Sequence, residues 1–262
     1  MAGALAEYFG AIEGASLEAN KGAYSYAWMI IFAVIAAIMV LIGLYHIRML
    51  PSNQIPSTTK KTTSEVGREL VAVIANFFTK KHIFYYICFI ILYRLAEGFI
   101  MKIAPLFLRA SREVGGLGLS LKEIGTLNGV FGSAAFVLGS LLAGIYVSKF
   151  GLKRTLFTLC CIFNLPFLAY TFLAVTQPTN VYLIGTCITM EYFGYGFGFV
   201  GLTLFMMQQI APGKHQMSHY AFASGIMNLG VMLPGMVSGY FSDLLGYRNF
   251  FIYVLIATIP AF

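Results

Sequence analysis

At 262 residues, 59% of them hydrophobic and only 10% charged, with a mean hydropathy of +0.80, the chain is far more apolar than a water-soluble domain, in which charged residues alone make up about a quarter. A soluble fold of this length could not hide that surface. The net charge of +7 suggests a nucleic-acid partner at first sight, so where the charges fall decides what it means.

The N-terminal stretch MAGALAEYFGAIEGASLEAN has no basic region and carries Glu7, Glu13 and Glu18, so it does not read as a cleavable signal peptide. Long apolar segments then recur at 24–45, 83–108, 124–149, 156–176, 181–210 and 217–241, each at or above the roughly 20 residues that cross a hydrocarbon layer of about 30 Å. They lack the alternating pattern of barrel strands, which predicts an all-α polytopic membrane protein. If the first span runs from outside to inside, the inner loops hold Arg48, Lys60, Lys61, Arg68, Lys80, Lys81, Lys149, Lys153, Arg154 and Lys214. The outer side holds Lys21, Arg109, Arg112, Lys122 and Arg248 against Glu7, Glu13, Glu18, Glu113, Glu123 and Asp243. The positive excess is therefore topogenic: it marks a cytoplasmic face and implies no nucleic acid. Trp28, with Tyr24 and Tyr26, falls where an outer aromatic belt belongs. The lipid bilayer is the first partner.

The longest polar connector, residues 47–82, carries T-T-S-E, a possible capping box at Thr62 and Glu65, followed by Val66, Leu70, Val73, Ile74 and Phe77 at helical spacing. This predicts an amphipathic helix on the inner membrane face, with a plain helical linker as the alternative. GIYVSKFGLKR (144–154) and GYFSDLLGYR (239–248) share G-x-x-x-[SD]-x-x-G-x-[KR], and GALAEYFG (3–10) gives G-x-x-x-E-x-x-G. Three crossings separate the copies at 144 and 239, which is what inverted three-helix repeats leave in a sequence. The last span begins near Asn249 and offers only about 14 residues, some 21 Å of helix, while the first ten residues read as the tail of an earlier helix. The expectation is a piece of a longer chain, truncated at both ends.

Inside the membrane, MEYFGYGFGFVG (190–201) contains G-F-G-F-V-G, the pattern of a dinucleotide-binding loop. That fingerprint needs a preceding strand and a helix starting within it, whereas here it lies inside a long apolar span. Gly194, Gly198 and Gly201 instead fall at i, i+4 and i+7, a smooth stripe for close helix packing, and Glu191 precedes Gly194 by three on the same stripe. Counted from Val181, Glu191 lies about 15 Å deep, near the midplane. Arg94 and Glu97, in FIILYRLAEGFIMK, are spaced i, i+3 at similar depth. Unpaired, the three charges would cost on the order of 8 to 10 kcal/mol, so they are expected to pair or to face water. A carboxylate stays ionised beside an arginine and takes up a proton when a conformational change removes that partner, which suits proton coupling or substrate contact; a static ion pair that fixes packing is the alternative. Tyr192, Tyr195, Asn128, Asn164 and Asn228 are candidate cavity linings, and Pro166 and Pro234 candidate kinks.

Cys88, Cys160, Cys161 and Cys187 all lie in apolar spans and suggest neither disulfides nor metal. His46, His82, His215 and His219 fall at cytoplasmic helix ends without ligand spacing, and the i, i+4 pair His215/His219 is expected on a surface face. No nucleophile elbow or phosphate loop is present, so no enzyme is expected, and no cofactor beyond a proton gradient as driving force.

The stretch at 144–154, with Gly144, Lys149, Gly151, Lys153 and Arg154, resembles the loop between helices two and three, and again eight and nine, of the major facilitator superfamily. It departs at Ser148, where that motif has Asp and a gating salt bridge would need its acid. YRLAEG (93–98), the MEYFGYGFGF run, HYAFASGIMNLG (219–230) and PGMVSGYFSDLLGYRNFF (234–251) resemble the AmpG-type muropeptide permeases, departing at Ala96 and Gly98 only among small residues. The resemblance implies a six-helix bundle of inverted three-helix repeats. Residues 1–23 would be the end of a preceding helix and an outer loop, 24–46 a transmembrane helix like the sixth, 47–82 a cytoplasmic linker, and 83–262 a C-terminal bundle like helices seven to twelve, the last incomplete. It also implies proton-driven import of anhydro-muropeptides across the bacterial inner membrane for cell-wall recycling, with Arg94, Glu97 and Glu191 lining the central cavity and a missing N-terminal half-bundle as partner. The alternatives are a symporter for another solute, such as a sugar or an acyl-CoA-like compound, and a membrane scaffold or sensor without transport.

Overall fold

The computed structural model describes residues 2–12, 18–49 and 62–262, which are helical apart from turns and form no strand. Glu13, Lys60, Lys61 and the connector residues 50–61 lie outside the described residues. The chain forms two compact units, Met1–Val66 and Gly67–Phe262.

In the first unit, α1 (Ala2–Tyr8) packs along α2 (Lys21–Met49). Asn20 joins them: its side-chain oxygen accepts from the Ile12 N–H at 2.9 Å and its amide donates to the Ile12 carbonyl at 2.8 Å. At 29 residues α2 reaches about 44 Å, and its apolar side chains are exposed almost all round, as a helix surrounded by lipid requires.

The second unit begins within α3 (Thr63–Phe78) and continues through α4 (Ile83–Tyr93), α5 (Leu95–Arg109), α6 (Leu121–Thr126), α7 (Ser133–Phe150), α8 (Leu152–Asn164), α9 (Phe167–Thr176), α10 (Val181–Phe205) and α11 (Gln216–Thr258). Here the spans are built from pairs of helices. α4 and α5 make one crossing broken at Arg94; α6 and α7 make another through a π-helical turn, Leu127–Gly132; α8 and α9 meet at Pro166; α11 is two helices joined at Gly246. Among the described residues, Lys21–Met49, Ile83–Arg109, Leu121–Phe150, Leu152–Thr176 and Gln216–Ala261 are long and apolar enough to cross a membrane. α10 is of similar length and sits at the centre, packed on α7 and α8, while α5 runs along α11.

Residues 144–154 and 239–248 adopt matching turns. Gly151 (φ 76°, ψ 148°) and Gly246 (φ 70°, ψ 160°) share a conformation that side chains disfavour, and both stand in open space, so backbone geometry rather than crowding demands glycine at these two positions. Gly10, the equivalent residue of GALAEYFG, also has positive φ, 90°.

At the basic end of this unit, Lys80 donates to the carbonyls of Ile210 and, at 2.8 Å, Pro212, closing the C-terminus of the α10 span; partial burial pulls its ammonium below the usual lysine range. His219, expected on a surface, is instead fully buried, because Phe77 of α3 folds over it with ring centroids 5.7 Å apart. The capping pattern of α3 forms in part: the Glu65 carboxylate accepts from the Thr62 N–H at 2.9 Å.

Candidate functional site

α5 presents one face, Glu97, Ile100, Met101, Ala104 and Pro105, to a cavity of about 130 Å³. Opposite it stand Glu191, Tyr192 and Tyr195 of α10, Tyr170 of α9 and Asn128 of the π-helical turn. The volume accommodates a few water molecules or one substituent of a larger solute.

The break at Arg94 builds the charged end of this cavity. Arg94 leaves helical geometry (φ −104°, ψ 4°), so α4 ends and α5 begins within the apolar interior. Helix termini carry partial charges, negative at the C-terminus and positive at the N-terminus, and the two residues match them: Arg94 is the C-cap of α4, its backbone N–H bonding the Leu92 carbonyl, and Glu97 lies in the first turn of α5. The pair is bidentate, Nε to Oε2 at 2.6 Å and Nη2 to Oε1 at 2.5 Å, and both residues are buried. Arg94 also lies 5.4 Å from the Phe199 ring centroid, over its face, and the Tyr195 phenol stands beside the pair. Next to the break, the buried Tyr93 hydroxyl donates to the Gly198 carbonyl at 2.9 Å, tying α4 to α10.

Glu191 is held differently. Half-buried on the cavity wall, it makes no ion pair among the described residues; its charged neighbour is the Glu97 carboxylate, and the Tyr170 and Tyr192 phenols lie beside it. Neither acid has a metal-binding cluster around it among the described residues.

The glycines of α10 explain how the wall comes so close. A methyl group at Gly194 would overlap the Ile162 carbonyl and Pro166, one at Gly198 would overlap Phe163, and one at Gly201 would meet Leu159, so all three lie against α8 and its junction with α9. Gly196 crosses the backbone of Phe136 on α7 in the same manner. Gly132, closing the π-helical turn, lies against the Tyr192 ring, which a methyl at that position would crowd at 3.0 Å.

Of the candidate linings, Asn128, Tyr192 and Tyr195 meet in the cavity with Glu97 and Glu191. Asn164 does not: it is buried at the end of α8, donating to the Cys160 carbonyl at 3.1 Å. Asn228 lies exposed on α11, outside this cavity. Lys149, Lys153 and Arg154 are exposed around the Gly151 turn, and Ser148 donates to the Ile145 carbonyl at 2.8 Å. Tyr93 opens the YRLAEG motif but is not among the expected site residues, and Tyr170 and Phe199 join the site without a sequence signal of their own, each one aromatic residue among many in apolar spans.

The sequence profile of the Major Facilitator Superfamily matches residues 1–211. The anhydromuropeptide permease of Escherichia coli K12 is 23% identical over 205 residues, covering 78% of this chain and 40% of that protein. The putative transporter AmpG 1 of Rickettsia bellii is 25% identical over 235 residues, 88% of this chain and 55% of the relative. The putative transporter AmpG 2 of Rickettsia prowazekii is 27% identical over 192 residues, 71% and 44%. The chain thus spans about half the length of the curated relatives it matches.

Proposed function

The chain belongs to the major facilitator superfamily, and from that premise we propose that it supplies one wall of a secondary transporter that imports anhydro-muropeptides by proton symport, through alternating access. The observation that carries this reading is the pair of acids in one intramembrane cavity, Glu97 neutralised by Arg94 and Glu191 with no cation paired to it among the described residues. Intramembrane carboxylates are costly and mark ion or substrate pathways. A carboxyl group without a counter-ion is the one free to exchange a proton as the cavity opens to one side or the other, whereas a bidentate carboxylate is committed to its arginine. Glu191 is therefore the proton carrier, and the Arg94–Glu97 pair is the fixed charge it works against.

The solute follows from likeness to relatives that include an anhydromuropeptide permease. Amino sugars and peptides present hydroxyl and amide groups, which suit the tyrosine phenols and the Asn128 carboxamide of this cavity. With about 130 Å³ available, the cavity takes one substituent, and the rest of the solute extends toward a second bundle. This wall needs such a bundle to rock against, and the motion is driven by the proton gradient across a bacterial cytoplasmic membrane.

The test is uptake of labelled GlcNAc-anhydroMurNAc by the full-length transporter in proteoliposomes, with and without an inward proton gradient. Gradient-driven uptake is expected in the wild type, and gradient-independent uptake or none in Glu191→Gln. Uptake that ignores the gradient in the wild type overturns the proton role, and no uptake by folded protein overturns the solute.

A further inference from the structure

α3 places its apolar residues on two neighbouring arcs. At about 100° per residue, Val73 and Phe77 fall on one side, and both are buried. Phe77 packs on α11, with ring centroids 5.7 Å from His219 and 5.7 Å from Phe222. The adjoining arc, from about 60° to 160° round the helix from Val73, carries Leu70, Ile74, Phe78 and Val71, which are 58%, 39%, 46% and 66% exposed. The remaining circumference is polar or small, with Glu65, Arg68, Ala72 and Asn76. A helix with protein on one side and apolar exposure about a quarter-turn away, under a polar roof, has the pattern of one lying flat beside a bundle at a membrane surface.

The level of α3 supports the same occupant. Its 16 residues make about 24 Å of helix, too short to cross a bilayer. Only residues 79–82 separate it from Ile83, where a spanning segment starts, and within that turn Lys80 is tied to the Ile210 and Pro212 carbonyls at the end of the α10 span. The C-terminus of α3 is therefore held beside the ends of two long apolar helical segments. Its exposed apolar arc also continues into Phe84 and Tyr85, 68% and 77% exposed on the first turn of α4.

We propose that α3 is an interfacial helix whose partner is the lipid surface, with Leu70, Val71, Ile74 and Phe78 set into the headgroup–acyl boundary and Val73 and Phe77 holding it against α11. Arg68 and Lys81, both exposed, offer cations to the lipid phosphates in this arrangement. The assignment goes beyond transport and holds whatever solute is carried.

The experiment uses the full-length protein in vesicles of brominated phosphatidylcholine, whose bromines quench nearby tryptophan. Trp28, the single tryptophan of this chain, is replaced by Phe, as is any other in the full-length protein, and one tryptophan is returned at Val71, Phe78 or Ala72, with folding checked by gel filtration. Val71→Trp and Phe78→Trp are expected to lose at least about twofold more emission than Ala72→Trp, with blue-shifted spectra, because the first two point into lipid and the third into water. Blue-shifted emission without bromine quenching at Val71 and Phe78 means that another protein surface covers the arc, and equal quenching at all three positions means that α3 has no lipid-facing side. Either result overturns the proposal.

Discussion

The two sides of the cavity hold their acids by opposite means. On the α4–α5 side, Glu97 is fixed: a broken helix supplies complementary terminal charges, and Arg94 binds both carboxylate oxygens. On the α10 side, Glu191 sits in an unbroken helix with phenols and another carboxylate for neighbours and no counter-ion among the described residues. Under the proposed function the first acid holds the structure and the second exchanges a proton, and these two kinds of work can be dissected.

The largest effect is expected from Arg94→Ala. It strands a buried carboxylate and should destabilise the protein by about 3–5 kcal/mol, read from thermal unfolding in detergent. Arg94→Lys keeps the charge but loses the fork, and should fall between that variant and wild type. An Arg94→Ala protein as stable as wild type would break the comparison at its root. A control remote from the cavity is Gly151→Ala or Gly246→Ala, where the loss comes from the backbone and not from charge. Each should cost about 1–3 kcal/mol, similar in the two positions because the φ/ψ values match, with gradient dependence of uptake retained.

Removing both members of the pair sharpens the contrast further. Arg94→Met with Glu97→Met leaves no stranded charge, so stability should return to within about 1 kcal/mol of wild type even though Arg94→Ala alone is severe. Uptake in proteoliposomes should nevertheless be abolished. Recovery of uptake together with stability would mean that the pair serves packing alone.

Much of this architecture was legible because the signals are local. Apolar runs of spanning length fix the helices, the i, i+4, i+7 glycines of α10 mark the surface that meets α8, and the shared turn motif anticipates matching backbone at Gly151 and Gly246. What the sequence hides is tertiary in origin. YRLAEG contains good helix formers and no proline, yet the helix breaks inside it, where the Tyr93 hydroxyl is drawn to the Gly198 carbonyl and Arg94 to Glu97. Polar residue type alone did not sort Asn128 from Asn164 and Asn228, because the rotation of each helix decides which asparagine meets the cavity, and the π-helical turn resets that rotation for Asn128. His219 was misplaced for a related reason: an i, i+4 histidine pair at a helix end says nothing about another helix, α3, folding across it.

Glu191→Gln has the smallest effect on the fold and the most direct bearing on the mechanism. The substitution keeps size and shape, breaks no ion pair among the described residues, and replaces a group that is costly to bury when ionised with a neutral amide. Stability should change by less than about 1 kcal/mol, in the direction of greater stability. Transport should respond quite differently, because an amide cannot give up and regain a proton over a transport cycle. Exchange of labelled for unlabelled solute in the absence of a gradient needs only binding and rocking, and should survive, while accumulation driven by a proton gradient should vanish. If Glu191 were a second structural acid, unfolding temperature and exchange would fall together with accumulation, and the division between the two sides of the cavity would have no basis.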